Sequence, residues 1–157
     1  MPLLQVQSVS RRFHRGNTVV DALVDCTMDV EQGECVVVQG PSGSGKTTLL
    51  MAMGGLQGPT AGSVLFEGRS IWDGSEAARA AYRSTSVGFV FQDPHLLPWL
   101  NARDNIAMAA HGQASMEEID ERLDRLGLGD RGGHLPGELS TGERRRVALA
   151  RALVNKP

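Results

Sequence analysis

The chain of 157 residues sets 16 basic side chains against 18 acidic ones, and a net charge of −2 marks it for neither nucleic acid nor an anionic membrane surface. With 41% hydrophobic and 22% charged residues it is an ordinary globular composition, enough for a core in one domain or slightly more. No stretch reaches the ~18 uninterrupted apolar residues of a membrane helix, and Met1-Pro2-Leu3-Leu4-Gln5 lacks the pattern of a signal peptide. Cys26 and Cys35 have no CxxC spacing and no clustered histidines, so they are expected as two reduced thiols buried in strands, without disulfide or zinc.

Residues 1–40 alternate as strands do. Leu4, Val6 and Ser8 start one strand; Val24, Cys26, Met28 and Val30 share one face of another. After the turn Glu31-Gln32-Gly33, the run Cys35-Val36-Val37-Val38 is apolar on both faces, which predicts a strand covered on both sides in a parallel sheet. A helix follows from Lys46 to Met53. Gly58 to Gly62 is turn chemistry, Ser63 to Glu67 a short strand, and Glu76 to Arg83 an Ala-rich helix. Val87 to Phe91 is a second apolar run of strand length, and Asn101 to Ala110 reads as helical. Ser115-Met116-Glu117-Glu118 is a capping box opening an amphipathic helix through Met116, Ile119, Leu123 and Leu126, closed by Gly127. A second box, Ser140-Thr141-Gly142-Glu143, opens a helix to about Leu153.

One site carries chemistry. Gly40-Pro41-Ser42-Gly43-Ser44-Gly45-Lys46-Thr47 fits the phosphate-loop pattern G-x-x-x-x-G-K-[ST], between an apolar run and a helix. Glycines let successive backbone N–H groups turn around a polyphosphate, and the helix start aims its positive dipole end at the same anion. Lys46 supplies a point charge for the β- and γ-phosphates, and the Thr47 hydroxyl a ligand for Mg²⁺. The loop alone does not say which class of nucleoside-triphosphate enzyme this is.

Two further stretches do. The loop with its continuation Thr48-Leu49-Leu50 resembles that of ABC (ATP-binding cassette) ATPases; Leu139-Ser140-Thr141-Gly142-Glu143, leading into Arg146 to Leu153, resembles their signature motif. Phe89-Val90-Phe91-Gln92 between them resembles the Q-loop. The resemblance runs from Leu4 to Pro157 in the family's order, and Leu96-Leu97-Pro98 with Asn105-Ile106 looks most like the subgroup energising lipoprotein release and macrolide export.

The resemblance implies an α/β fold: a P-loop NTPase core sheet, an N-terminal antiparallel β piece and a helical arm, missing the C-terminal strands. It implies one partial ATP-binding domain over 1–157, with the arm and Q-loop at about 76–140 and the signature helix at 139–153. It makes ATP and Mg²⁺ the cofactors, bound by Gly40, Pro41, Ser42, Gly43, Ser44, Gly45, Lys46, Thr47 and Thr48, with Thr47 and Gln92 as metal ligands and Gln92 also positioning the attacking water. Phe13 matches the aromatic that stacks on adenine; read from composition alone it is a satellite hydrophobe of the N-terminal sheet. Leu139, Ser140, Thr141, Gly142 and Glu143 would cover the γ-phosphate of ATP held by a second cassette, while the box also caps its own helix. Thr141 replaces the family's usual glycine, and its Cβ bears on close approach to phosphate. Glu143 stands where many relatives have glutamine.

The implied partners are a second cassette in a homodimer and a transmembrane permease subunit, not nucleic acid, which places the chain on the cytoplasmic face of the membrane. Leu96-Leu97-Pro98-Trp99-Leu100 is either core or a groove for a helix of the membrane subunit. Arg144-Arg145-Arg146 reads as a solvated helix face, and His14, His95, His111 and His134 as ordinary histidines. The resemblance also implies an apolar strand ending in an acidic pair that holds Mg²⁺ and acts as general base; no apolar run here is followed by Asp-Glu, so the sequence is expected to be C-terminally truncated at Pro157 and to bind ATP with little turnover. A soluble ABC ATPase of repair or translation type and a non-catalytic ATP-binding module are the alternatives; the short spacing between phosphate loop and signature speaks against the first.

Overall fold

A computed structural model of the chain describes residues 2–110 and 112–157, so Met1 and His111 lie outside the described residues. Backbone contacts divide the chain into two units, Met1–Tyr82 and Arg83–Pro157. The boundary falls inside a helix that is Ala-rich in sequence.

The first unit is built on an antiparallel sheet of β1 (Leu4–Arg15), β2 (Thr18–Val30), β3 (Ala61–Phe66) and β4 (Arg69–Ser70), ordered β2-β1-β3-β4. Gly16-Asn17 joins β1 to β2 as a two-residue hairpin, with Gly16 at φ 58°. Strict alternation predicts Ser8 and Val24 inward. Both point outward, Val24 with 74% of its surface exposed, and Val9 and Leu23 are buried in their place. Ser8 and Asp25 each adopt a φ of 48°, and the β1–β2 register slips on both sides of Val9. A bulge of this kind moves every following side chain to the other face. Neighbouring hydroxyls take the N–H groups it frees: Ser8 donates to Thr27 Oγ1 at 3.0 Å, and Asp25 to Ser10 Oγ at 2.9 Å.

Val6, Val9, Leu23 and Val64 form the inner face of this sheet and pack with Leu49 of α1 (Lys46–Met53) and Ile71. Two long aromatics hold the C-terminal end of α1, where carbonyls run out of helical partners. Trp72 Nε1 donates to Ala52 O at 3.1 Å and Tyr82 Oη to Met53 O at 2.9 Å. Burial pushes the Tyr82 phenol up to about 12.

The two apolar runs expected in a core sheet, Cys35–Val38 and Val87–Phe91, belong to no strand or ladder among the described residues. An apolar run becomes a strand only when another strand lies alongside to pair its N–H and C=O groups. Val37 is accordingly 71% exposed, not covered on both sides, although Val38 packs against the first core. The cysteines also differ from expectation: Cys26 is half-buried in β2, whereas Cys35 is exposed outside any strand. Both are free thiols.

The Ala-rich helix is α2 (Glu76–Ser86). The second unit packs α3 (Ala102–Ala109), α4 (Met116–Arg125) and α5 (Thr141–Leu153) around a core of Ile106, Ile119, Leu123, Leu128 and Val147, with single 3-10 turns at Gly129–Arg131 and Pro136–Glu138. Both capping boxes form as their spacing predicts, at Ser115/Glu118 and at Ser140/Glu143. Arg103 of α3 pairs with Asp120 of α4. Arg122 of α4 donates to Val154 O just past α5 at 3.2 Å. No helix among the described residues is long and apolar enough to cross a membrane.

Candidate nucleotide-binding site

In the first unit, Gly40 to Gly45 forms the loop from which α1 starts. Gly45 is the N-cap of α1 with a φ of 87°, and a Cβ placed on it would lie 2.1 Å from the Ala22 carbonyl of β2. Chain direction and close packing therefore both require glycine here. A Cβ on Gly40 would lie 2.8 Å from Ser44 Oγ. The Lys46 ammonium folds back across the loop, donating to Gly40 O at 2.9 Å, Pro41 O at 2.7 Å and Ser44 Oγ at 3.3 Å. That places the one cation of the motif at the mouth of the loop.

Among the described residues, the start of α1 differs from those of the other four α-helices. No side chain caps it and no acid lies in its first turn. Each of the others has a side-chain oxygen accepting one of its early N–H groups: Ser75 for α2, Asn101 for α3, Ser115 for α4 and Ser140 for α5. Each also has an acid in its first turn. Free donors, an uncompensated dipole end and a lysine together make an environment for a polyanion. Thr47 is exposed one position into the helix and Thr48 half-buried behind it. Phe13 is half-buried on β1 opposite Val20, with the Arg11 guanidinium 4.8 Å from its ring centroid.

In the second unit, Gln92 is exposed at the bend after Phe91. It lines a shallow depression with Asp93, Pro94, Thr141, Arg144 and Arg145, so the fold brings Gln92 beside the start of the signature helix. Ser140 is the N-cap of α5: its Oγ accepts from Glu143 N at 3.2 Å, and the Glu143 carboxylate accepts from Ser140 N at 2.7 Å. Arg131 Nε donates to Glu143 at 3.1 Å. The Ser140 N–H foremost, then the Ser140 hydroxyl and Arg131, hold the Glu143 carboxyl down at about 2. Thr141 and Gly142 are exposed in the first turn at ordinary helical dihedrals, so threonine brings no backbone strain; its Oγ1 accepts from Arg144 Nη2 at 3.2 Å. Leu139 is buried behind them.

Two residues fix the loop between Gln92 and α3, and neither stands out in sequence as a site residue. Arg151 of α5 donates to Pro94 O at 2.7 Å and His95 O at 2.8 Å, which holds His95 at its φ of 47°. Asn105 is the buried polar residue of the second core, 2% exposed. Its Oδ1 accepts from Leu97 N at 2.8 Å, and its Nδ2 donates to Leu97 O at 3.2 Å and Leu100 O at 2.8 Å. The available signal was an asparagine on the inward stripe Ala102-Asn105-Ile106, since a buried amide implies a backbone to satisfy. Trp99, held by neither, is 71% exposed. Arg144, Arg145 and Arg146 lie at the surface or half-buried.

A lysine closing a glycine loop at an uncapped helix start defines the class as a P-loop nucleotide-binding protein. The chain belongs to the ABC transporter family, whose profile, described as "ABC transporter", matches residues 23–157. The lipoprotein-releasing system ATP-binding protein LolD of Shewanella oneidensis is 46% identical over 99% of this chain and 70% of its own length. LolD of Shewanella frigidimarina is 44% identical over 99% of this chain and 67% of its own. Among solved structures, the dimeric bacterial ABC transporter cassette MJ0796 superposes with a TM-score of 0.92 at 31% identity, covering 98% of this chain and 70% of that one. The same cassette in a post-hydrolysis state bound to ADP and phosphate superposes with a TM-score of 0.89 at 33% identity, with the same coverage. This chain is thus the ATP-binding subunit of an ABC transporter, an ABC-type ATPase with the α/β cassette fold.

Proposed function

We propose that this subunit binds Mg-ATP on its phosphate loop and drives a lipoprotein-releasing type of transporter from the cytoplasmic face of the membrane. The observation that carries the reading is the start of α1, uncapped and free of acid, with Lys46 at its first position. Gly40 to Thr48 would wrap the triphosphate, Lys46 would meet its β- and γ-phosphates, and Phe13 would stack on the adenine. The Thr47 hydroxyl and the Gln92 amide oxygen are hard oxygen donors, which fit Mg²⁺. Bound there, the ion would neutralise charge on the phosphate oxygens; Gln92 would also orient the attacking water.

In this reading Leu139 to Glu143 act on the nucleotide of a second, identical cassette. The first turn of α5 would offer its N–H groups, and Ser140 its hydroxyl turned from Glu143 to the phosphate, which is anion binding at a helix start supplied in trans. The dimeric solved cassettes support a paired state, and the lipoprotein-releasing relatives support a membrane permease as the other partner. The loop Leu96 to Leu100, pinned by Asn105 with Trp99 outward, is proposed as the surface that the permease meets.

The test is calorimetric titration of ATP with Mg²⁺ present, repeated with the metal chelated. Saturable binding that weakens at least tenfold on chelation is expected; binding indifferent to Mg²⁺ would remove Thr47 and Gln92 from the metal site.

A further inference from the structure

We propose that Arg11 is a positioning residue for the nucleobase: its guanidinium holds one face of the Phe13 ring, so that the opposite face is presented to the purine. The inference rests on the proposed stacking role of Phe13.

Three observations converge on Arg11. The guanidinium carbon lies 4.8 Å from the Phe13 centroid, within cation–π range. Nη1 donates to Gly58 O at 2.7 Å. Nε is buried with no hydrogen-bond partner among the described residues. An unpaired buried N–H is costly, and an arginine on a strand has rotamers that would leave it in water. A hydrogen bond at Nε therefore does not account for this pose. The ring and the Nη1 bond to Gly58 O do, since both are met in it.

The contact also ties the ring to the phosphate-binding helix. A Cβ on Gly58 would lie 3.1 Å from Trp72 Cε3, so the Gly58 backbone sits close against the indole, and Trp72 Nε1 donates to Ala52 O of α1. Phe13, Arg11, Gly58, Trp72 and α1 thus form one connected series. The neighbouring Arg12 is engaged elsewhere, with Asp21 at 2.6 Å. A π face held in place binds an aromatic base without losing ring freedom at the moment of binding.

Calorimetric titration of the full 157-residue chain with Mg-ATP and with inorganic tripolyphosphate, which lacks a base, separates positioning from folding. Arg11→Met is expected to weaken ATP about threefold to tenfold and leave tripolyphosphate unchanged. In a Phe13→Ala background the same substitution should add nothing. Equal weakening of both ligands, an unchanged or tighter ATP affinity, or a full effect that persists without Phe13 would each overturn the proposal. If Arg11→Met does not fold, Arg11→Gln decides: it keeps a polar side chain but removes the cation, so a loss confined to ATP supports the proposal and an equal loss, or none, overturns it. Phe13→Ala binding ATP like wild type would sink the stacking reading itself; a weakened Phe13→Ala beside an unaffected Arg11→Met would sink only the role of Arg11.

Discussion

Gly45 shows how tightly one residue can be constrained. Its φ of 87° disfavours any side chain, and a Cβ would meet the Ala22 carbonyl at 2.1 Å. Gly45→Ala is expected to cost ~3 kcal/mol or more in urea unfolding, because strain and overlap act together; a loss within ~0.5 kcal/mol would contradict the geometry. Glu143 gives a pH signature. Its carboxyl titrates at about 2 in the folded chain against an ordinary 4.5, so the unfolded state takes up the proton first as pH falls. The capping box therefore stabilises fully above pH 4.5, and that contribution is lost between 4.5 and about 2. Glu143→Gln should flatten this part of the stability–pH curve. An unchanged slope would mean that other carboxylates carry it.

At the scale of elements, the loop after Gln92 is the informative case. Asn105 satisfies Leu97 and Leu100 from inside the second core. Asn105→Ala leaves those groups unpaired and is expected to cost ~2–3 kcal/mol, with faster amide exchange at Leu97. Exchange at Leu97 that stays protected would show another partner.

Helices were more legible in sequence than strands, for a physical reason. α1, α4 and α5 start and stop on local chemistry: a glycine loop, two Ser-x-x-Glu boxes, a glycine after the last turn. Strand phase depends on pairing. Nothing local reveals that Ser8 and Asp25 take positive φ, and that one fact exchanged Val24 for Leu23 in the core. β4, at two residues, is too short to show a period. Of the candidate site, the residues of fixed spacing are the ones the sequence singles out: the phosphate loop, Gln92 and the signature. The residues that brace the loop after Gln92, Arg151 and Asn105, are not, because their partners are backbone groups of that loop rather than side chains with a pattern.

At the scale of the whole molecule, two apolar segments outside the sheet bear on its behaviour in solution. Val36 and Val37 are 40% and 71% exposed, and Val90 is 49% exposed, on backbone with no ladder partner among the described residues. Such edges pair with other chains. Concentration-dependent association is expected in sedimentation, reduced by Val37→Lys; a monodisperse sample at all concentrations would show these segments covered. The central claim is that the molecule is held to a nucleotide through Lys46. Thermal or urea unfolding with and without Mg-ATP tests it most directly. At a ligand concentration ~100 times Kd, wild type should gain about 2.7 kcal/mol. Lys46→Ala should gain only about 0.4–1.4 kcal/mol at that concentration, since one charge-assisted contact to phosphate is worth about tenfold to a hundredfold in affinity. A Lys46→Ala chain stabilised by Mg-ATP as much as wild type would contradict the account.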